Sequence, residues 1–263
     1  MPITPENPSV LEVRDLGIRF GGLQAVDSFH YRLKEGDLGG IIGPNGAGKT
    51  TIFNMLTGIY PPTSGEIFFR GENIVGKSIH DFTACGIART FQNIRLFREL
   101  SALENIKIAS HMRVRYGLFP ALFRAPSVRR REDELEYECM ALLDRLSLTQ
   151  YAHSRASSLP YGIQRRLEIA RALATSPRLL LLDEPAAGMN PQEVDRLAKT
   201  ILWIRDEFKV TILLIEHHMQ LVMNVCDHIS VVNFGKLIAE GTPGEIRTNP
   251  AVIEAYLGKG GKF

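Results

Sequence analysis

The sequence lacks any long run of apolar residues. Its longest purely aliphatic stretches, Leu179 to Leu182 and Ile212 to Ile215, are far shorter than the roughly 18 apolar residues that a membrane-spanning helix requires. We therefore predict that the chain does not cross a bilayer. Residues 1–8 contain neither the basic region nor the apolar region of a secretory signal, so we expect the protein to remain in the cytoplasm.

Cysteine is scarce too, since the chain contains only Cys85, Cys139 and Cys226. The number is odd and no two of them form a C-x-x-C pair, so neither a disulfide framework nor a zinc site is expected. We interpret all three as buried thiols in a reducing compartment.

An excess of charge of one sign is likewise absent. The chain has 31 Lys and Arg against 29 Asp and Glu, which gives a formal net charge of +2. This balance does not fit a general nucleic-acid binder, and a content of 44% hydrophobic residues does not fit a disordered chain. Any anion that the protein binds should therefore be held at a local site.

The sequence does contain short aliphatic or β-branched runs that alternate with helical patterns. Such runs, buried on both faces, are typical of a parallel sheet flanked by helices. The predicted strands lie at Gly40 to Ile42, Leu179 to Leu182, Val210 to Ile215 and Ile229 to Val232. The first 35 residues and Gly65 to Arg70 indicate an antiparallel portion instead, because Gly-rich turns adjoin them. The length of 263 residues fits one large domain or two small ones.

The region from about Ala102 to Leu159 shows no strand pattern. Within it, Glu132 to Leu148 has apolar residues at spacings of three and four, which predicts a helix docked on a neighbour. Six arginines lie between Arg113 and Arg131, and five acids follow from Glu132 to Glu138. We interpret these charges as a solvated helix pair with local ion pairing, with a surface for a partner or for lipid as the alternative.

A glycine-rich segment follows the first predicted parallel strand and precedes a helical pattern. It fits the motif G-x-x-x-x-G-K-[ST], whose backbone N–H groups cradle phosphates. The lysine of the motif supplies a positive charge to the outer phosphates, and the threonine offers an oxygen to Mg²⁺. The residues predicted to contact nucleotide here are Gly43, Pro44, Asn45, Gly46, Ala47, Gly48, Lys49, Thr50 and Thr51.

Two acids stand at the end of another predicted strand, Leu179 to Leu182. We expect Asp183 to hold Mg²⁺ through water and Glu184 to act as the general base for the water that attacks the γ-phosphate. The plainer alternative is that an acid in this place caps a helix. Farther along, Asn190, Pro191 and Glu193 have the spacing of a capping box, which predicts a helix start.

Between these two motifs lies the segment Leu159 to Leu173, which reads LPYGIQRRLEIARAL, with Gly162 placed 21 residues before Asp183 (183 minus 162). With this segment in place, the order of motifs from about Leu11 to Gly258 resembles that of the ATP-binding subunits of ABC transporters. The strings that begin at Ala88, Asp183 and Asn233 look more narrowly like the larger ATP-binding subunit of branched-chain amino-acid importers.

The resemblance implies an α/β fold: a P-loop NTPase of the ABC type, with a RecA-like parallel-sheet core, an N-terminal antiparallel β subdomain and an inserted α-helical subdomain. It implies a single domain at 8–258, with the ATP-binding core at 8–90 and 165–258, the helical subdomain at 91–164 and a tail at 259–263.

The resemblance also implies roles for individual residues. Phe20 stands where the family stacks an aromatic ring on adenine, and Val26 is expected to contact the nucleotide beside it. Gln92 corresponds to the glutamine that binds Mg²⁺ or the attacking water, and His217 to the switch histidine of the active site. A core position for Phe20 and a structural hydrogen-bonding role for His217 are the alternatives.

The signature loop is expected to complete the nucleotide site of a partner subunit, through Leu159, Pro160, Tyr161, Gly162 and Ile163. The common family pattern L-S-G-G-Q is altered here, because Pro160, Tyr161 and Ile163 replace the serine, a glycine and the glutamine. Pro160 can supply neither a hydroxyl nor an N–H, so we expect that this loop either weakens the site or works through the backbone of Gly162 and Ile163. Asn190 and His218 also stand where acids are common.

The function that the resemblance implies is hydrolysis of ATP, with Mg²⁺ as cofactor, to energise uptake of branched-chain or related amino acids. The expected partners are two integral-membrane permeases, a second ATP-binding subunit in a homodimer or heterodimer and, indirectly, an external solute-binding protein, with no nucleic acid. The expected location is peripheral, on the cytoplasmic face of the inner membrane. The alternatives are an ATPase for export of lipopolysaccharide or another lipid, and a soluble ATP-switched scaffold.

Overall fold

The computed structural model describes residues 9–113 and 126–257, which fall into two units. Residues up to Arg89 and from Arg178 onward form the first unit, and Thr90–Pro177 form the second. The second unit continues to Pro177, whereas the helical subdomain predicted from the sequence ends at residue 164. Over the described ranges, no helix combines the length and the apolar character that a bilayer span needs.

The first unit contains a four-stranded antiparallel sheet in the order β2-β1-β4-β5. Its strands are β1 (Ser9–Phe20), β2 (Leu23–Lys34), β4 (Ser64–Phe69) and β5 (Glu72–Asn73). The pairing of β1 with both β2 and β4 is antiparallel. The antiparallel portion predicted from the Gly-rich turns is therefore confirmed.

The first unit also contains a six-stranded sheet in the order β10-β9-β3-β8-β7-β6. Its strands are β3 (Leu38–Ile42), β6 (Ile87–Arg89), β7 (Leu179–Asp183), β8 (Thr211–Ile215), β9 (His228–Asn233) and β10 (Lys236–Gly241). All neighbours are parallel except the edge strand β10, which runs antiparallel to β9. Every residue of β3, β7 and β8 is buried, as expected of a sheet covered on both faces.

Six helices accompany these sheets in the described part of the first unit. They are α1 (Lys49–Leu56), α2 (Ile79–Cys85), α6 (Pro191–Phe208), α7 (Met219–Val225), α8 (Pro243–Thr248) and α9 (Pro250–Leu257). The predicted helix start is confirmed in α6, where Asn190 and Glu193 form a reciprocal capping box and Pro191 occupies the first turn. Helix α1 buries Ile52, Phe53 and Met55 in a hydrophobic cluster to which both sheets contribute.

The second unit is helical over its described residues. Its α-helices are α3 (Ala102–Ser110), α4 (Pro126–Arg145) and α5 (Tyr161–Leu173), with short 3-10 turns at His111–Arg113, Thr149–Tyr151 and Ala156–Ser158. Helix α4 ends before the predicted Leu148, because Ser147 takes a left-handed backbone conformation with φ of 55°. Leu146 and Leu148 remain buried beyond the helix end.

The predicted ion pairing in the charged segment is present where the structure describes the side chains. Arg130 and Arg131 both contact Glu134, at 3.2 and 3.1 Å. The side chains of the other four arginines lie outside the described residues. Cys85, Cys139 and Cys226 form no disulfide; Cys139 and Cys226 are buried as predicted, whereas Cys85 is only half-buried.

Candidate functional site

The loop before α1 wraps around the ammonium group of Lys49. Nζ donates to the carbonyl oxygens of Gly43 at 2.7 Å and Pro44 at 2.8 Å, and the side chain is almost fully buried. Burial lowers the pKa of Lys49 below its usual range, and the negative charge of Glu184 opposes that shift. The loop therefore holds a positive charge at the N-terminal end of a helix, a combination that favours binding of an anion.

The turn between β9 and β10 supports this loop from behind. The N–H of Gly235 donates to the carbonyl of Ala47 at 2.9 Å, and the carbonyl of Gly235 accepts from the N–H of Asp27 at 2.9 Å. A Cβ on Gly235 would lie 2.5 Å from the carbonyl oxygen of Ala25, so only glycine fits there. The turn thus ties the phosphate loop to β2.

Three predicted nucleotide contacts differ in exposure. Thr50 is exposed and Thr51 is half-buried at the start of α1. Val26 is fully buried behind the phosphate loop, where its Cγ2 atom would lie 3.4 Å from a Cβ on Gly48.

Phe20 lies at the end of β1 and is 45% exposed, so the alternative that it belongs to the core is wrong. Its ring meets that of Tyr60 edge to face, with centroids 5.4 Å apart. This leaves an aromatic surface accessible to a ligand.

Asp183, the last residue of β7, forms a buried ion pair that the sequence did not reveal. Arg89 Nη2 donates to its Oδ2 atom at 2.6 Å, and the two side chains are only 7% and 5% exposed. The same guanidinium donates through Nη1 to the side chains of Asn54 on α1 and of Thr57, the residue that caps the end of α1, at 2.8 and 3.0 Å. Arg89 therefore joins β6, β7 and the helix that follows the phosphate loop.

Glu184 follows Asp183 with a left-handed backbone conformation, φ of 43°. Such a conformation costs a non-glycine residue about 1–3 kcal/mol and persists only where the surroundings impose it. Here the N–H of Glu184 donates to the carbonyl of Ile215 on β8 at 2.9 Å. The carboxylate, 16% exposed, lies 3.6 Å from Nδ1 of His217, so the structure brings the predicted base and the predicted switch histidine together.

Glu216 is a second acid that sequence reasoning missed. It is fully buried, and it accepts backbone N–H bonds from Ala186 at 2.7 Å, His217 at 2.9 Å and His218 at 3.0 Å. Its carboxylate thus joins the loop after β7 to the end of β8. Ligand atoms of Glu216, His217 and His218 lie within 4.8 Å of one another, but we assign no metal to them because both oxygens of Glu216 already accept backbone bonds.

The remaining predicted residues lie in the second unit. Gln92 is exposed in the loop before α3. In the signature segment, Leu159 is buried, Pro160 occupies the N-cap of α5, and Tyr161 and Gly162 are exposed in its first turn. The N–H of the half-buried Ile163 donates to the carbonyl of Pro160 at 2.9 Å, so this amide is already used within the helix.

In a comparison with protein families, the family model described as "ABC transporter" matches residues 26–187. The chain belongs to the ABC transporter family. As an ABC ATPase it binds ATP and hydrolyses it to power transport, and the family implies membrane permeases as partners. A second family model, "Branched-chain amino acid ATP-binding cassette transporter", matches residues 236–262.

Relatives and solved structures agree with this assignment. The chain is 50% identical over 250 residues to the high-affinity branched-chain amino acid transport ATP-binding protein BraF of Pseudomonas aeruginosa, covering 95% of this chain and 98% of BraF. It is 48% identical, with the same coverage, to LivG of Escherichia coli, which carries the same description.

The ADP conformation of MJ1267, an ATP-binding cassette of an ABC transporter, superposes with a TM-score of 0.82 at 30% identity, covering 95% of this chain and 99% of that one. The cassette cbiO1 of Clostridium perfringens superposes with a TM-score of 0.79 at 27% identity, covering 94% of each chain. The predicted P-loop ABC fold is therefore confirmed.

Glu216 and Arg89, the two site residues of this ABC ATPase that sequence reasoning missed, both follow apolar residues at the end of a strand. Glu216 directly follows the aliphatic run Ile212 to Ile215, which is the same pattern that identified Asp183. Arg89 follows the two apolar residues Ile87 and Ala88, so it ends a strand too short to predict.

Proposed function

We propose that this ABC ATPase energises the import of branched-chain or related amino acids through two partner membrane permeases. The observation that carries the proposal is the identity of 48–50%, over 95% of the chain, with ATP-binding proteins of high-affinity branched-chain amino-acid transport. The match of residues 236–262 to the branched-chain family model supports it independently of the ATP site.

In the proposed mechanism, the backbone amides from Gly43 to Thr50 and the ammonium of Lys49 bind the phosphates of ATP. Phe20 stacks on the adenine, and Val26 supports the loop from below. Nζ of Lys49 now bonds two loop carbonyls; because phosphate oxygens are charged acceptors, they replace these carbonyls as its partners.

Mg²⁺ would be held in the first unit by the Thr50 hydroxyl and, through water, by the Asp183 carboxylate, which are hard oxygen ligands of the kind that the ion prefers. The side-chain carbonyl of Gln92 is the third ligand that the family resemblance implies. When bound, the ion neutralises charge that develops on the phosphate oxygens. Arg89 orients the carboxylate of Asp183 toward the ion through its bond to Oδ2.

Glu184 is the proposed general base, taking a proton from the attacking water onto its carboxylate. Its backbone is held by the bond of its N–H to the carbonyl of Ile215, and Nδ1 of His217 lies 3.6 Å from the carboxylate, near enough to help orient the water. Glu216 holds the segments that carry both groups, through its bonds to Ala186 and His217.

The proposed assembly includes a second ATP-binding subunit, identical or different, because the signature loop serves a nucleotide bound by another subunit. In this loop Pro160 offers no N–H, and the amide of Ile163 is bonded to it, so Gly162 at the start of α5 carries the recognition of phosphate. An external solute-binding protein delivers the amino acid, and the subunit is peripheral on the cytoplasmic face of the membrane. We expect no nucleic-acid partner.

The roles at the site are tested with two variants and a control. Lys49→Ala is expected to abolish equilibrium binding of a fluorescent ATP analogue, whereas Glu184→Gln retains binding and loses steady-state hydrolysis. Glu66→Gln, a matched change at an exposed glutamate on β4, should keep both. Normal hydrolysis by Glu184→Gln would exclude it as the base.

The transport role is tested by purifying the tagged chain from detergent-solubilised membranes. We expect two permeases and an ATP-binding subunit to co-purify, and a strain lacking the chain to lose uptake of labelled leucine. Recovery of uptake with the wild-type gene but not with Lys49→Ala would support the proposal. Co-purification with lipid-export proteins and unchanged leucine uptake would overturn it.

A further inference from the structure

The loop that carries Gln92 is held by buried side chains rather than by strands or helices. Between Thr90 and Leu100 the described backbone has no regular secondary structure, yet its polar groups need partners wherever they are buried. Arg165, on helix α5 of the same unit, is 1% exposed and supplies two of them. Its guanidinium donates to the carbonyl of Phe91 at 2.6 Å and to that of Gln92 at 2.8 Å.

Glu168, one turn farther along α5, holds the N–H groups of the same loop. It is also 1% exposed, and it forms an ion pair with Arg165 at 2.8 Å. Its Oε1 atom accepts from the N–H of Phe91 at 3.4 Å and from that of Arg95 at 3.2 Å. The two charges therefore compensate each other and bond the main chain on both sides of Gln92.

Helix α3 anchors the far end of the loop. The fully buried side chain of Asn105 accepts from the N–H of Phe97 at 2.9 Å and donates to the carbonyls of Phe97 and Ser101 at 3.0 and 2.9 Å. This end of the loop is therefore held independently of Arg165.

The same arginine also contacts the signature segment. Its Nη2 atom donates to the hydroxyl of Tyr161 at 3.3 Å, and its guanidinium lies 5.9 Å from the centroid of that ring. Tyr161 is one of the positions at which this chain departs from L-S-G-G-Q. Tyr161 thus contacts the guanidinium of Arg165 that holds the main chain at Gln92.

We propose that Arg165 and Glu168, on helix α5, are positioning residues that hold the main chain at Gln92. A displacement of the start of α5 would then move Gln92 with it. This proposal rests on the proposed role of Gln92 at the nucleotide site. The two bonds donated by Arg165 are short and charge-assisted, and the two accepted by Glu168 are longer; together the four restrain the backbone of one short loop.

The experiment compares Arg165→Met and Arg165→Lys with Arg166→Met, a matched loss of an arginine at the next position of the same helix. Lysine keeps the charge beside Glu168, but one ammonium lacks the planar fork that reaches both carbonyls. Arg165→Lys therefore serves if Arg165→Met fails to fold. The first readout is amide hydrogen exchange at Phe91 and Arg95, with Leu103 in α3 as an internal reference.

We expect exchange at the amides of Phe91 and Arg95 to become about tenfold faster or more in the Arg165 variants, since the loop loses the bonds from Arg165 to the carbonyls of Phe91 and Gln92 that hold it beside Glu168. Exchange at Leu103 should stay unchanged, and Arg166→Met should resemble the wild type at all three positions. Unchanged protection at Phe91 and Arg95 in a folded Arg165→Lys protein would overturn the proposal.

The second readout is a double-mutant cycle on steady-state ATP hydrolysis with Gln92→Ala and Arg165→Lys. Displacing a positioned group lowers turnover by up to roughly a hundredfold, and we expect the double variant to be no slower than the slower single one. Multiplicative losses would overturn the coupling. If Gln92→Ala hydrolyses ATP normally while Arg165 still protects the loop amides, the proposed role of Gln92 fails and the clamp on the loop stands.

Discussion

Replacing Arg89 by methionine tests the buried ion pair with Asp183. The substitution keeps much of the aliphatic length of the side chain but removes the donor that lies 2.6 Å from Oδ2, and it leaves the carboxylate 5% exposed without that partner. Removing one member of a buried pair costs about 3–5 kcal/mol, because the remaining charge is uncompensated. At about 2–4 °C per kcal/mol for a chain of this size, the melting temperature should fall by about 6–20 °C.

The assay is thermal unfolding without nucleotide, followed by circular dichroism, for Arg89→Met, Asp183→Asn and the double variant. Because the cost comes from losing the attraction between two buried charges, Arg89→Met should cost only about 1 kcal/mol when Asp183 is already replaced by a neutral side chain. The matched control is Arg205→Met, whose pair with Asp227 at 3.4 Å is half-exposed and worth about 1 kcal/mol or less. If Arg89→Met costs as much in the Asp183→Asn protein as in the wild type, the reasoning is refuted.

Three further predictions concern a helix cap, a turn and a thiol. Asn190→Ala should cost about 1 kcal/mol in unfolding free energy, measured by urea titration, because it removes the bond to the N–H of Glu193. Gly235→Ala should weaken ATP binding and destabilise the fold by more than Gly71→Ala, which has a similar positive φ but no atom within 4 Å of the new Cβ. A thiol reagent at neutral pH should label Cys226 only on unfolding, because burial raises the pKa of its thiol; labelling in the folded protein would contradict this.

Local sequence patterns predicted the parts of the site that are local in the chain. The phosphate loop, the acid pair at the end of β7 and the capping box of α6 each lie within about ten consecutive residues, so spacing alone defines them. The parallel and antiparallel portions were predictable for the same reason, because the pattern of apolar residues within a strand shows whether one face or both faces are buried.

The residues that position the site could not be predicted in this way. Arg89 contacts Asp183 across 94 positions, and Arg165 contacts Gln92 across 73. A sequence pattern does not reveal that a charged side chain will meet its partner inside the fold, and nothing local distinguishes Arg165 from its neighbour Arg166. The predicted end of α4 was wrong for a different reason. The left-handed conformation at Ser147 ends the helix, although the apolar pattern in the sequence continues beyond it.

The measurement that tests the central claim most directly is leucine uptake into proteoliposomes that contain this chain with its co-purified permeases and second ATP-binding subunit. The solute-binding protein and labelled leucine are supplied on the external side, and ATP with Mg²⁺ on the side that carries this chain. We predict accumulation that requires ATP and that stops when the chain carries Glu184→Gln. Accumulation at an undiminished rate with Glu184→Gln, or ATP hydrolysis that delivers no leucine, would contradict the account.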